Sequence, residues 1–456
     1  MLMKKISLSI IVFILFAACK SKVTATVTSD TSTIDGHPAW IMQSNIYEVN
    51  IRQYTQEGTF KAFEKSLDRL KEMGVQTLWF MPINPIGTKD RKGALGSYYA
   101  VANYTAINPE YGTLADWKAL VETAHNKGFK VIIDWVANHT SADNVWLTSH
   151  PDFYVLDSIT HQPISPFDWT DTRKLNFKNP ALCDSMIAAM KYWITETNID
   201  GFRCDVAPEV PQAFWTRCID TLKKQKNVFM LAEGDKPWLH VAGFDETYTW
   251  NDFNMMKLIA KGNRKASALD STIHKTDTGF AKNALRLFFT SNHDENSWNK
   301  ADYATMPGES HAPFAVLTQT LKNSVPLIYS GQEEPVLDSI SFFYKDAIKF
   351  GKYQRANFYK KLLNLRTDNA ALAANASFTK LITSADDFIY AFVREQNGKK
   401  VLVVTNLSKA PQAVTITNSL ISGEATDVFT AKKENIEASH TFNLNAWGYL
   451  VYDYTK

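Results

Sequence analysis

Cysteine is scarce in this chain: 456 residues contain 4. Apart from Cys19 near the amino terminus, Cys183, Cys204 and Cys218 form an odd set without metal-ligand spacing, so neither a disulfide framework nor a thiolate metal site is expected. An excess of either charge is missing too. Lys and Arg number 49 against 47 Asp and Glu, and a net charge of +2 supplies no basic field for nucleic acid. The apolar run at the amino terminus, Ile6 to Ala18, stops short of the roughly 20 residues a spanning helix needs, and no internal repeat is evident. What remains is an ordinary globular composition, 45% hydrophobic and 21% charged, in a length that suggests about two to three domains.

The amino terminus is built for export. Lys4 and Lys5 precede the apolar run, the pattern of a signal peptide over residues 1–19. Leu15-Phe16-Ala17-Ala18-Cys19 resembles the lipobox of bacterial lipoproteins, although Phe16 departs from that pattern. The resemblance implies lipidation of Cys19 and a membrane anchor at the cell envelope; ordinary secretion with cleavage nearby is the alternative. Residues 20–37, rich in Ser and Thr without apolar periodicity, read as a flexible tether.

From residue 38 to about 372, strand and helix signals alternate, which favours an α/β architecture with parallel strands and crossover helices. Phe60, Phe63, Leu67 and Leu70 recur at helical spacing, Gly74 ends that helix, and Val75 to Met81 follow as a buried strand. Thr113 and Asp116 form a capping-box start; Leu114, Trp117 and Val121 make the apolar face, Gly128 stops it, and Val131 to Val136 is the next strand. Further strands are expected at Ile46 to Val49, Gly201 to Val206, Val228 to Glu233, Leu285 to Thr290 and Val325 to Tyr329, with one near Phe244 completing eight. The polar stretch at about 140–180, with Pro151, Pro163 and Pro166, is too long for a simple loop and reads as an inserted subdomain. Over 373–456, short alternating runs predict an all-β sandwich: Phe388 to Val393, Lys400 to Asn406, Ala413 to Thr417, Ala425 to Phe429 and Gly448 to Tyr454.

Three acids stand at the ends of apolar runs in the first of these domains: Asp205, Glu233 and Asp294. A single acid there is more often a loop cap or salt-bridge partner. At the carboxyl ends of parallel barrel strands, however, three distant residues converge on one face.

The neighbours of these acids carry a family resemblance. Asp134-Trp135-Val136-Ala137-Asn138-His139, Gly201-Phe202-Arg203-Cys204-Asp205, Glu233 and Asn292-His293-Asp294 resemble, in order, the four signatures of the alpha-amylase family of glycoside hydrolases, and Val325 to Glu333 is similar to its last-strand motif. The resemblance implies a (β/α)8 TIM barrel over 38–372, with a subdomain inserted after strand three and a terminal β domain. It implies Asp205 as nucleophile, Glu233 as general acid/base and Asp294 as the acid that orients substrate. Breaking a glycosidic bond needs one carboxyl that holds a proton and another that stays ionised. Arg203, two residues before Asp205 on the same strand face, can keep Asp205 charged. By the same resemblance His139, His293 and Tyr99 bind the cleaved glucose, with Tyr98 the rival of Tyr99, while Asp134 and Asn138 support them. Trp135, Trp169, Trp238 and Trp250 lie near the expected mouth, and one or two are expected to touch sugar.

Three positions depart from the family pattern. Many members hold calcium between barrel and insertion, yet Lys174 and Glu209 stand where an Asp and a His ligand are expected. An ammonium offers calcium no oxygen, so the expectation is no metal, with Lys174 replacing the ion's charge and pairing with Glu209. Val206 follows the nucleophile position, where the family associates valine with α-1,6 linkages. An α-glucan or maltooligosaccharide is the implied substrate. The alternatives are an α-1,6-glucosidase or transglycosylase on the same scaffold, or a silent glycan-binding lipoprotein.

Overall fold

The computed structural model describes residues 31–299, 306, 308–334 and 339–454. Eight short parallel strands form the central sheet: β1 (Ile46–Val49), β2 (Thr77–Phe80), β3 (Lys130–Trp135), β4 (Gly201–Cys204), β5 (Phe229–Ala232), β6 (Glu246–Tyr248), β7 (Leu285–Leu287) and β8 (Leu327–Tyr329). They pair in sequence order with β8 beside β1. A parallel bridge from Arg286 to Ser324, with Leu327 N–H donating to Phe288 O at 2.9 Å, closes β7 onto β8. The result is the expected barrel. Gly201–Cys204 and Leu285–Leu287 stop before their apolar runs do, where the chain turns out at the mouth, whereas Ile46–Val49 has the expected bounds.

Local chemistry sets the crossovers. Thr113 and Asp116 form both arms of a capping box at the start of helix Leu114–Asn126, which buries Trp117, Leu120, Val121 and Ala124. Gly74 ends helix Leu67–Met73 at φ 95°. The single helix expected from Phe60 to Leu70 is two, Phe60–Glu64 and Leu67–Met73, with one apolar face running across the break. The insertion after β3 is a two-stranded pair, His139–Ser141 with Thr172–Lys174, and the short helix Val145–Ser149.

Part of the expected tether is ordered. Thr33–Ile34 pairs with Pro38 and His37 through a turn with Asp35 at φ 54° and Gly36 at φ 90°, the left-handed pair that an Asp-Gly hairpin favours. The hairpin is fastened: His37 Nδ1 lies 3.0 Å from Asp245, and Asn283 Nδ2 donates to Asp35 O at 2.9 Å. Asp245 and Asn283 precede β6 and β7, so this contact is at the barrel end opposite the strand carboxyl termini. Cys19, the signal segment and residues 20–30 lie outside the described residues.

The terminal domain is a six-stranded antiparallel sheet ordered Ser377–Lys380, Ile389–Gln396, Lys399–Asn406, Tyr449–Asp453, Gly423–Asp427, Lys433–Ile436, faced by the pair Gln412–Thr417 and Ser439–Leu444. Alternation sorts the strand Ile389–Gln396: Ile389, Ala391 and Val393 enter the domain's own core, while Tyr390 and Phe392 join Phe314, Leu317 and Leu362 of the barrel. Arg394, fully buried, donates to the carbonyls of Thr320, Leu321, Ala373 and Ala376.

Candidate active site

Tyr99, His139, Asp205, Val206, Glu233, His293 and Asp294 line one cavity of about 430 Å³ at the carboxyl ends of the strands. Asp205 follows β4 directly and Glu233 follows β5. Asp294 reaches the same space differently. Its strand ends at Leu287, and Asp294 sits in the first turn of the short helix His293–Trp298, capped by Asn292, whose Oδ1 accepts from Glu295 N–H at 2.8 Å.

Beneath the cavity lies Arg203, with no exposed surface. Its Nη1 donates to Asp205 Oδ1 and to Asp134 Oδ1, both at 2.9 Å, and its Nη2 lies 3.1 Å from Glu233 Oε2 without the alignment of a hydrogen bond. Burial pushes the Asp205 carboxyl well above the usual carboxylate range; the Glu233 charge adds to this and Arg203 opposes it. Glu233 Oε2 also accepts the Val206 N–H at 2.7 Å. That bond is aimed by strain, since Val206 stands at φ 36°, ψ 45°, a left-handed conformation that costs a β-branched residue about 1–3 kcal/mol.

Asp134 and Asn138 lie behind the wall. Asp134 Oδ2 accepts from Trp79 Nε1 at 3.3 Å and Tyr99 OH at 3.1 Å, and burial raises its carboxyl to about 6. Asn138 Nδ2 is 3.3 Å from His139 Nδ1, and burial lowers His139 to about 3, leaving a neutral imidazole at the cavity. His293 is its electrostatic opposite. Burial disfavours its charge, but Asp294 at 3.2 Å and Glu48 at 2.5 Å together raise it well above the ordinary histidine value. His293 in turn holds Asp294 below the usual range against its burial.

Glu48, on β1 and fully buried, was not singled out from sequence. The available signal is a charged residue inside an apolar strand, which needs a partner. Among the four tryptophans singled out, Trp169 lines the cavity and Trp135 is core. Tyr98 lies under Arg52 and does not line the cavity. Trp298, Phe342, Phe343 and Lys92 line it without having been anticipated.

The expected Lys174–Glu209 ion pair does not form; Lys174 is half-buried in the insertion's strand pair and Glu209 is exposed. Among the described residues no three acids or histidines gather as a metal site, and a lysine at a ligand position cannot bind calcium as an ammonium. Other contacts tie the insertion to the loop after β2. Asp143 Oδ2 accepts from Thr88 N and Oγ1 and from Lys89 N, Arg173 Nη2 donates to Asp90 at 2.7 Å, and Lys92 pairs with Asp171 at 3.6 Å.

Known proteins share this fold. A model of the alpha amylase catalytic domain matches residues 28–172 and 161–370, and one of the alpha-amylase SusG C-terminal domain matches 389–451. The chain is 27% identical to alpha-amylase MalA of Haloarcula japonica over 413 residues, 85% of this chain and 59% of that enzyme's length. It is 27% identical to neopullulanase 2 of Thermoactinomyces vulgaris over 399 residues, 78% of this chain and 64% of the relative. The crystal structure of a maltogenic alpha-amylase, AmyB of Thermotoga neapolitana, is similar with a TM-score of 0.83 at 26% identity, covering 91% of this chain and 99% of that one.

Proposed function

The chain belongs to the alpha-amylase family of glycoside hydrolases, and on that premise we propose that it is a retaining enzyme cleaving α-glucosidic bonds, α-1,4 above all, in starch or maltooligosaccharides. The observation that carries this reading is the shared guanidinium: Arg203 donates to Asp205 and abuts Glu233, with Asp294 lining the same cavity. The donated N–H favours charge on Asp205, the nucleophile. Glu233 is the acid; its Oε2 is engaged by Val206 N–H, which leaves Oε1 for the proton it gives to the departing oxygen. Asp205 takes the sugar as a glucosyl ester; water, giving one of its own protons to the Glu233 carboxylate, then attacks that ester and releases Asp205. Asp294, Tyr99, His139 and the charged His293 hold the sugar. Asp134 and Asn138 act through Tyr99, Arg203 and His139, and no step requires a metal.

Val206 lines the cavity beside Glu233, which favours α-1,6 cleavage as the second reading; transglycosylation uses the same first step. The signal-free protein, given starch, maltooligosaccharides, pullulan and isomaltooligosaccharides, should release α-anomers from α-1,4 substrates, followed by NMR. A β-anomer formed first would sink retention, and turnover of isomaltooligosaccharides alone would transfer the assignment to α-1,6. Glu233→Gln should cost about 10²–10⁴ in kcat; unchanged turnover would remove Glu233 from its role, and an inert wild type would favour a silent glycan binder. At the amino terminus the same proposal includes export and lipidation of Cys19.

A further inference from the structure

Trp298 is 58% exposed, whereas Trp79, Trp117, Trp135, Trp193 and Trp215 are each almost wholly buried. An exposed indole lining an acid-bearing cavity calls for a reason. Aromatic faces lead to it in sequence. Tyr99, at the cleaved sugar in the reading above, stacks on Phe342 at 6.2 Å and 15°; Trp298 packs on Phe342 at 5.3 Å and 34°, and on Phe343 at 5.9 Å.

The platform is fixed before any ligand arrives. Asn296 Oδ1 accepts from Ile340 N–H and Ser297 Oγ donates to Ile340 O, each at 2.8 Å, which locks the Trp298 helix to the segment carrying Phe342. Phe343 O accepts from Leu95 N–H at 3.0 Å, and Phe343 Cβ would lie 2.5 Å from a Cβ at Gly93. Only glycine lets the two segments come that close. Direction follows from the acid. Glu233 protonates the departing oxygen, so the leaving sugar lies toward Glu233 and Val206. Trp298 stands one helical turn from Asp294 and belongs to the retained side.

We propose that Trp298, backed by Phe342 and Phe343, stacks against the second glucosyl unit on the retained side of the cleaved bond, so that this site selects α-glucans contributing at least two sugars there. The proposal rests on the glycosidase reading. Aryl α-glucoside presents one sugar on that side and aryl α-maltoside two. With Trp298→Ala, kcat/KM should fall about tenfold further for the α-maltoside than for the α-glucoside, the scale of one lost aromatic contact, because the lost contact of Trp298 with Asp294 lowers both alike. Trp298→Phe should recover most of that difference.

Equal losses on both substrates would overturn the platform and leave Trp298 a structural residue, and no loss on either would leave it a bystander. If the α-glucoside turns over too slowly to compare, Glu233→Gln protein titrated with maltotriose decides: its indole fluorescence should change and the Glu233→Gln, Trp298→Phe double variant should lose that change. An identical response in both would overturn the platform. Wild-type protein inert toward every α-glucoside and α-glucan would instead sink the glycosidase reading itself.

Discussion

Arg203 reaches three carboxyl groups from a position with no exposed surface, and where burial pushes Asp134 and Asp205 up its charge opposes the rise. The same opposition of burial and charge divides the histidines: His139 is neutral because burial meets no compensating charge, and His293 is charged because Glu48 and Asp294 flank it. Replacing Glu48 by Gln removes one flanking charge, so His293 should release its proton at lower pH. A raised folded-state histidine value contributes stability below the unfolded value and loses it as pH rises through the folded one. The variant should therefore lose kcat/KM and thermal stability earlier on the alkaline side, with its acid limb unmoved. Profiles that superimpose on wild type would exclude Glu48 from the site. Sequence carried Asp205, Glu233, Asp294, Arg203 and both histidines because each lies in a short local motif. Glu48 was not legible that way: its partner is 245 positions distant, and only the barrel closure brings the two together.

At the scale of elements, strands and capped helices were readable because apolar period and caps are local signals. The edge strands Ser377–Lys380, Lys433–Ile436 and Ser439–Leu444 were not, since their exposed positions break the apolar run that marks the central ones. The hairpin at Asp35-Gly36 did carry a turn signal, hidden in a stretch dominated by Ser and Thr. The inserted subdomain is fastened through Asp143, whose carboxyl is pulled below the usual range by the N–H groups of Thr88 and Lys89 although burial works against it. Activity and melting temperature should be unchanged by a chelator, and Asp143→Ala should cost about 1 kcal/mol through its lost hydrogen bonds. A lowered folded-state value means that this contribution is present above the unfolded carboxyl value, about 3.9, and disappears as pH falls through the folded one. The stability gap between variant and wild type should accordingly narrow in acid, read by thermal melts at neutral pH and below pH 4. Chelator inactivation reversed by calcium would refute the metal-free fastening.

Across the whole molecule, the two ends of the barrel do different work. The cavity opens at the strand carboxyl ends, while the hairpin at Thr33–Pro38, through His37 with Asp245 and Asp35 with Asn283, enters the folded body at the other end. The terminal sheet takes a third surface, where Arg394 and the faces of Tyr390 and Phe392 weld it to the barrel and give it a packing role. None of these attachments covers the cavity residues. An anchor placed before the hairpin is therefore compatible with a polymeric substrate, which a tether emerging at the mouth would obstruct. If Cys19 is lipidated, palmitate should label the wild-type protein and fractionate with membranes, and Cys19→Ser should abolish both. The anchored and released forms should then turn over starch and maltotriose in the same ratio, because the polymer meets an unobstructed mouth in each. Label retained in Cys19→Ser would refute the lipidation site, and an anchored form impaired on starch alone would refute the free mouth.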